Sequence, residues 1–342
     1  MSTTIRKALI PTYGDASVVQ IVDAEIDRPH TKEVQVKVIY AGMGGSDILM
    51  REGAYPQQNK APLTPGYTIV GRVQRNGRQS SIYQEGDLVG CLTVHDAHAE
   101  LVNLPEKYLI PIPKGLDMKQ AVAMILDWST AYGMVHRCAK ITPGRRVFIH
   151  GLSGAVGNAL FTLCKLQGAD IYGTASQSKH AEIRAAGATP FVYTDKNWIA
   201  AMNAIGGAHV VMDPLGFESY DESWDILAGK AEGGGHLIGY GGNLHVLNGG
   251  KPRSQTPAIA KLLARNAVPF CPNHTSFYYI NRDQSTFMPE VKALFDLVLQ
   301  GKIHAPIKKV WTLETYPQAH REWTSTPGIG SVVVKIGDDA EA

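Results

Sequence analysis

Three glycines, Gly151, Gly154 and Gly157, stand at every third position after the apolar run Val147-Phe148-Ile149. Glycines at this spacing let the chain turn sharply, let backbone N–H groups approach an anion, and let the next helix lie tight on a sheet. The unpaired N–H groups and dipole at a helix start favour phosphate. Ser153, Gly154, Ala155, Val156 and Gly157 are therefore the candidate cradle for a dinucleotide pyrophosphate. The pattern is GxxGxxG rather than the commoner GxGxxG, and a turn with glycines for packing only is the alternative. Where an acid usually ends the next strand and holds a ribose 2′-OH, this chain reads Thr174-Ala175-Ser176-Gln177-Ser178-Lys179. Ser176, Ser178 and Lys179 suit a 2′-phosphate, so the expected cofactor is NADPH. An ordinary helix-surface lysine is the other reading of Lys179.

The elements that must hold these residues follow from periodicity. Residues 146–174 read as strand, glycine turn, helix and strand, with Leu160, Leu163, Cys164 and Gln167 at helical spacing and Gly168 as the stop. Residues 5–40 alternate as three strands, and glycine turns at 65–66 and 86–87 open further strands. This first part is an all-β, barrel-like module. From Met118 the pattern turns helical, with a break expected at 127–130. Strands and helices then alternate, giving six strands with helical crossovers, the sixth at 268–272 (VPFCP). That is the α/β, doubly wound class. Gly239, Gly241 and residues 213–216 end strands at the carboxyl edge, where such folds hold cofactors. The closing run 330–336 (GSVVVKI) returns to the first module. Trp128 and the aromatics Phe277, Tyr278 and Tyr279 are candidates for a flat apolar pocket, although a core role would explain each alone.

Composition narrows the class. The chain has 342 residues, 44% hydrophobic and 19% charged, with a net charge of +2. That fits a soluble two-domain protein and gives no reason to expect nucleic acid or membrane as a partner. No apolar run is long enough to span a bilayer, and the first residues lack a signal-peptide core. Cys91, Cys138, Cys164 and Cys271 lie far apart with no CxxC, so neither a disulfide framework nor a zinc site is expected. A reducing, cytoplasmic setting fits.

With these elements placed, the chain resembles the medium-chain dehydrogenase/reductase superfamily over nearly its whole length. The zinc-independent quinone oxidoreductase (zeta-crystallin-like) branch is the most similar. The motifs are PGYTIVGRV (65–73), EGDLVG (85–90), AHAELV (97–102), STAYGMV (129–135), PGRRVFIHGLSGAVG (143–157) and GSVVVKI (330–336). The resemblance implies a GroES-like barrel domain split between 1–125 and 274–342, around a Rossmann domain at 126–273. It also implies a homodimer formed edge to edge near 268–272, which Pro269 and Pro272 oppose by removing ladder donors. Thr130 matches a family threonine near the nicotinamide, and Tyr193 a tyrosine near the adenosine phosphate.

The chain also departs from the family. Gly44 and Tyr67 occupy the places of a cysteine and a histidine zinc ligand, so no metal is expected. His95 and His98 have no cysteine spaced beside them and read as surface or core histidines. Gly44-Gly45 replaces the branch's usual Asn-Pro. Without zinc, hydride can pass from a nicotinamide to an enone β-carbon or a quinone if a donor meets the charge forming on oxygen. Tyr55 matches a pocket tyrosine and could donate to that oxygen, Tyr67 faces the same cleft, and Asp47 follows the loop glycines. Packing is the alternative for both tyrosines, and loop ordering the alternative for Asp47. The expected activity is reduction of a quinone or α,β-unsaturated carbonyl. A biosynthetic double-bond or carbonyl reductase of a bulky metabolite, and a non-catalytic NADPH-binding structural or RNA-binding protein, are the other readings.

Overall fold

The computed structural model describes residues 2–56 and 58–339. The chain divides into two compact units. One comprises the chain up to Ser129, Asn281–Pro327 and the chain from Ser331; the other comprises Thr130–Ile280 and Gly328–Gly330.

The first unit is β-rich. A hairpin-like pair, β1 (Thr3–Leu9) and β2 (Gln20–Ile26), stands beside a seven-stranded sheet. That sheet contains β3 (Glu33–Met43), β4 (Thr68–Asn76), β5 (Leu88–Leu92), β6 (Leu101–Pro105) and β7 (Ile110–Pro111). Val34, Val36 and Val38 on β3 are fully buried, as their alternation predicts. The chain end returns to this unit.

The second unit carries β8 (Arg146–Ile149), β9 (Asp170–Ala175), β10 (Thr189–Val192), β11 (Val210–Asp213), β12 (His236–Gly239) and β13 (His274–Phe277). They form one sheet in the order β10-β9-β8-β11-β12-β13, every pairing parallel. This is the expected doubly wound α/β class. The central strands are apolar because helices cover both faces. Phe148, Val211 and Leu237 pack with Trp198, Met202 and Leu262 in one buried cluster.

The last two strands belong to the β-rich unit. β14 (Ile307–Thr312) runs parallel to β15 (Ser331–Lys335), and β15 pairs antiparallel with β3, Val332 facing Met43.

Two expectations are corrected. Residues 268–272 are not a strand: Pro269 and Pro272 offer no N–H, and Phe270 sits at φ 58 and is 99% exposed. The sixth strand is β13, fixed by pairing His236 with His274 through Gly239 with Phe277. The two compact units divide after Ser129 and after Ile280. The helix that starts at Met118 does not break at 127–130. Its α-turns (Met118–Ala123) widen into π-turns at Met124–Trp128, return to α at Ser129–Tyr132 and widen again at Gly133–Cys138. The Met124 carbonyl accepts the Ser129 N–H across the wide turn, and Ser129 Oγ donates to the same oxygen at 2.6 Å.

Candidate functional site

In the parallel-sheet unit, parallel register brings the candidate residues to one edge. Met212 pairs with Ile149, Asp213 with Gly239, and Gly239 with Phe277. The glycine turn, residues 213–216, Gly239 and Phe277 therefore share the carboxyl edge of the sheet.

Gly151 turns the chain at φ +75, a conformation side chains rarely adopt. The helix Ala155–Leu166 starts at Gly154, with no side chain capping that end. Its first-turn N–H groups remain suited to an anion. Gly157 packs tightest: a Cβ there would lie 2.0 Å from the Gly151 carbonyl oxygen. The Ser153 carbonyl accepts from the Gly330 N–H at 3.1 Å.

At the ends of β9 and β10, Ala175 pairs with Val192, so Ser176 and Tyr193 leave the sheet side by side. Ser176 and Ser178 are exposed, Lys179 is half-buried, and the Lys179 N–H donates to the Ser176 carbonyl at 2.9 Å. Tyr193 is 41% exposed. Tyr278 is buried, its N–H donates to the Gly239 carbonyl at 2.8 Å, and its hydroxyl accepts from Arg137 at 3.0 Å. Gly241 accepts the Tyr220 hydroxyl at 3.0 Å. Thr130 is buried.

A buried chain of polar groups ties this edge together, and sequence reasoning missed it. Asp213 Oδ2 accepts from Ser223 Oγ and Ser219 Oγ, both at 2.7 Å, and Oδ1 from the Leu215 and Gly216 N–H groups at 2.7 and 3.2 Å. His150 Nε2 lies 3.0 Å from Ser223 Oγ, its Nδ1 lies 3.4 Å from Thr174 Oγ1, and Thr174 Oγ1 accepts the Gly151 N–H at 3.1 Å. Burial holds the His150 pKa down, which favours the neutral ring. Ser223 spends its proton on Asp213, so the single imidazole proton must sit on Nε2 and donate to Ser223. Nδ1 then accepts from Thr174.

In the β-rich unit, Gly44 precedes the helix Gly45–Arg51, and its N–H donates to Asp47 Oδ2 at 2.8 Å. Asp47 is 1% exposed. The Tyr316 hydroxyl donates to Oδ1 at 3.4 Å, and His98 Nδ1 lies 3.7 Å from the same oxygen. The Tyr316 ring packs on His98 at 4.1 Å and on His320 at 4.6 Å between centroids. Burial pushes the Asp47 carboxyl up to about 7, outweighing the bonds from Gly44 and Tyr316, and pushes His98 down to about 3. Tyr67 is fully buried and meets the half-buried Tyr55 edge-on, centroids 5.8 Å apart. Gln58 braces this loop: it accepts the Tyr55 N–H at 2.9 Å and donates to the Met50 carbonyl at 3.0 Å. Trp128 is 1% exposed.

Asp47 should give stability a defined pH dependence. Its folded-state pKa lies above the ordinary 3.8, so the folded state holds the extra proton between these values. The stabilising contribution is present at low pH and is lost as pH rises through about 7. Asp127, also raised by burial, acts in the same direction; His98 and His320, held down by burial, act in the opposite one. A difference measurement isolates the one group. Asp47→Asn keeps the shape without the charge. Its stability relative to the parent should rise from pH 4 to pH 7, by at most about 1.4 kcal/mol per pH unit. Denaturant unfolding at several pH values measures this, and a flat difference would show that Asp47 titrates normally.

Neither place expected of a zinc ligand fits the metal. Gly44 has no side chain, and Tyr67 offers only a buried phenol. Among the described residues no group of three or more His, Cys, Asp or Glu side chains could hold a metal ion. No helix among them is long and apolar enough to cross a membrane.

Comparison with known proteins agrees with this architecture. The alcohol dehydrogenase GroES-like domain family matches residues 30–114, and the zinc-binding dehydrogenase family matches residues 186–334. The chain is similar to the synaptic vesicle membrane protein VAT-1 homolog of Danio rerio, 27% identical over 348 residues, covering 97% of this chain and 70% of that one. It is also similar to the quinone oxidoreductase of Mus musculus, 26% identical over 225 residues, covering 63% of this chain and 68% of that one. Its fold matches Escherichia coli quinone oxidoreductase complexed with NADPH at a TM-score of 0.82 and 21% identity, covering 97% and 100% of the two chains.

Proposed function

We infer that the chain belongs to the medium-chain dehydrogenase/reductase superfamily, in its quinone oxidoreductase-like branch, and that it is an NADPH-dependent, zinc-free reductase of a quinone or α,β-unsaturated carbonyl. The observation that carries this reading is the uncapped glycine turn, combined with a β9 end that presents Ser176, Ser178 and Lys179 instead of an acid. Likeness to a quinone oxidoreductase complexed with NADPH supports it. Ser153 to Gly157 would hold the pyrophosphate, and Ser176, Ser178, Lys179 and Tyr193 the 2′-phosphate. Thr130, Gly239 and Gly241 would flank the cofactor. When bound, the cofactor supplies the hydride. Tyr55 would donate a hydrogen bond to the carbonyl oxygen, with Tyr67 fixing its ring and Asp47 holding the Gly44 loop. Gly44 and Trp128 in the β-rich unit, and Phe277 and Tyr278 in the parallel-sheet unit, would be the residues facing the substrate.

The test is turnover of NADPH with a panel of quinones and enones, with and without chelator, alongside metal analysis. Stoichiometric zinc required for turnover would overturn the zinc-free reading. NADPH binding with no acceptor consumed would instead favour a non-catalytic protein. Lys179→Ala should raise the Michaelis constant for NADPH about ten- to a hundred-fold, the worth of one charge-assisted contact. NADH should be nearly unaffected. Ser176→Asp should reverse the preference. Equal weakening of both cofactors by Lys179→Ala would remove the phosphate-reading role.

A homodimer remains part of this proposal, with its contact moved to the edge strand β13. That strand is paired on one side only, and edge strands invite partners. Light scattering showing a monomer at micromolar concentration would reject it.

A further inference from the structure

The β-rich unit contains a cavity of about 390 Å³ that the proposed chemistry does not use. It lies against β1, β2 and β6. Its walls include Ile5, Ile26, Leu101 and Leu104, and one end is polar. Register orders the groove. Lys7 bridges Ala99 in antiparallel sense, so Ile5 and Leu101 lie two residues further along, and Glu25, paired with Thr4, lies beyond them. Lys7 therefore marks the same end as Thr64, His95, Asp96 and Arg282.

Three features of that end point to a ligand. Thr64 is 3% exposed, lines the cavity, and its Oγ1 has no hydrogen-bond partner among the described residues. A buried hydroxyl without a partner is costly and uncommon in a folded protein. The adjoining backbone is strained, with Val94 at φ 75 and Asp96 at φ 63. Such a conformation is unusual for a β-branched residue, and strain of this kind clusters at ligand sites. Arg282 is held in a fixed plane: Nη1 donates to the Leu92 and Thr93 carbonyls at 2.6 and 3.1 Å, and the guanidinium lies 3.8 Å from the Tyr108 ring centroid.

Charge selects the class of ligand. Lys7 and Arg282 stand at this end against one carboxylate, Asp96. The Lys7 charge acts on Asp96, but among the described residues its ammonium makes no hydrogen bond and no ion pair within 4.0 Å. Burial lowers the His95 pKa and favours its neutral form. The distant carboxylate, Glu25, is occupied by Thr4 Oγ1 at 2.6 Å. An anionic head meets two cations and a waiting hydroxyl, and an apolar tail lies along Ile5, Leu101 and Leu104. We propose that this groove is a second small-molecule site, which binds a medium-chain carboxylate with its head at Lys7, Arg282 and Thr64.

The experiment titrates octanoate, octan-1-ol and octylammonium into the full chain, followed by calorimetry. Octanoate should bind saturably and at least tenfold more tightly than the other two. Lys7→Glu should weaken octanoate at least tenfold and strengthen octylammonium. Ala24→Trp, a bulky replacement at a half-buried position on the wall, should block all three. NADPH affinity, measured in the same preparations, should be unchanged and confirms that both variants are folded. Equal binding of the three probes would overturn the proposal. So would octanoate binding that survives both substitutions, or that a quinone displaces.

Discussion

Gly154→Ala should weaken NADPH binding at least tenfold while leaving the melting temperature almost unchanged, and Gly157→Ala should damage both. The contrast follows from what a Cβ meets. At Gly154 the backbone is extended, φ −73 and ψ 169, which alanine adopts freely. The added carbon would find only the Gly151 carbonyl oxygen, 3.3 Å away. Any loss of affinity there reports the approach of the backbone to a ligand. At Gly157 the carbon would lie 2.0 Å from that oxygen and 2.8 Å from its carbon, both main-chain atoms with no rotamer to yield. The helix Ala155–Leu166 must then move off the turn. Overpacking of this kind costs about 1–3 kcal/mol, or roughly 2–12 °C in a unit of this size. The shifted first turn should also lose cofactor affinity. Thermal melts and a fluorescence titration with NADPH on both variants separate the roles. Unchanged NADPH affinity in Gly154→Ala would return the glycines to a packing role only.

The glycine turn was legible in the sequence because everything that defines it is local: a β-forming run, glycines at fixed spacing, and a helical stripe ending at Gly168. The sixth strand was not. Val268-Pro269-Phe270-Cys271-Pro272 has the apolar look of a strand, whereas His274-Thr275-Ser276-Phe277 is largely polar. The second set becomes a strand through pairing with β12 and through the grip of Asn266, which accepts the Thr275 N–H at 2.7 Å and donates to its carbonyl at 2.9 Å. Neither interaction has a periodic signature. The wide turns at Met124–Trp128 likewise leave no periodic mark: the Ser129 N–H and hydroxyl both reach back five residues to the Met124 carbonyl.

Among the candidate site residues, Tyr55 and Tyr67 do meet, and Asp47 does bind the Gly44 loop. What sequence could not give was their surroundings. Asp47 shares its pocket with Tyr316, and Tyr316 with His98 and His320, residues far apart in the chain. Asp213 was visible only as the end of a strand. Its partners Ser219 and Ser223 sit on the next helix, Glu218–Asp225, and His150 on a neighbouring strand end. Each is an ordinary polar residue in sequence. Parallel register alone brings them together.

Asp213→Ala should be the most destabilising single change at the carboxyl edge of the sheet. The carboxylate is fully buried and accepts four hydrogen bonds, two from main-chain N–H groups and two from serines. Removing it leaves those donors buried without an acceptor, each costing about 1–3 kcal/mol where no water enters. A total loss of at least ~4 kcal/mol is expected, a large share of a domain's stability. Asp213→Asn separates charge from shape. The amide oxygen can still accept from Leu215 and Gly216, but the amide nitrogen now faces the serines as a donor. Ser223 must then turn its proton toward His150 Nε2, which forces the imidazole proton to Nδ1. In the parent protein the proton should reside on Nε2, and nitrogen NMR of the histidine ring distinguishes the two tautomers. With Nδ1 protonated, His150 donates to Thr174 Oγ1 instead of accepting from it, and the oxygen that receives the Gly151 N–H changes character. Asp213→Asn should therefore weaken NADPH binding more than its smaller stability cost explains. An Nε2 proton in both proteins would break this chain of reasoning at His150, and would confine Asp213 to holding its own loop and helix.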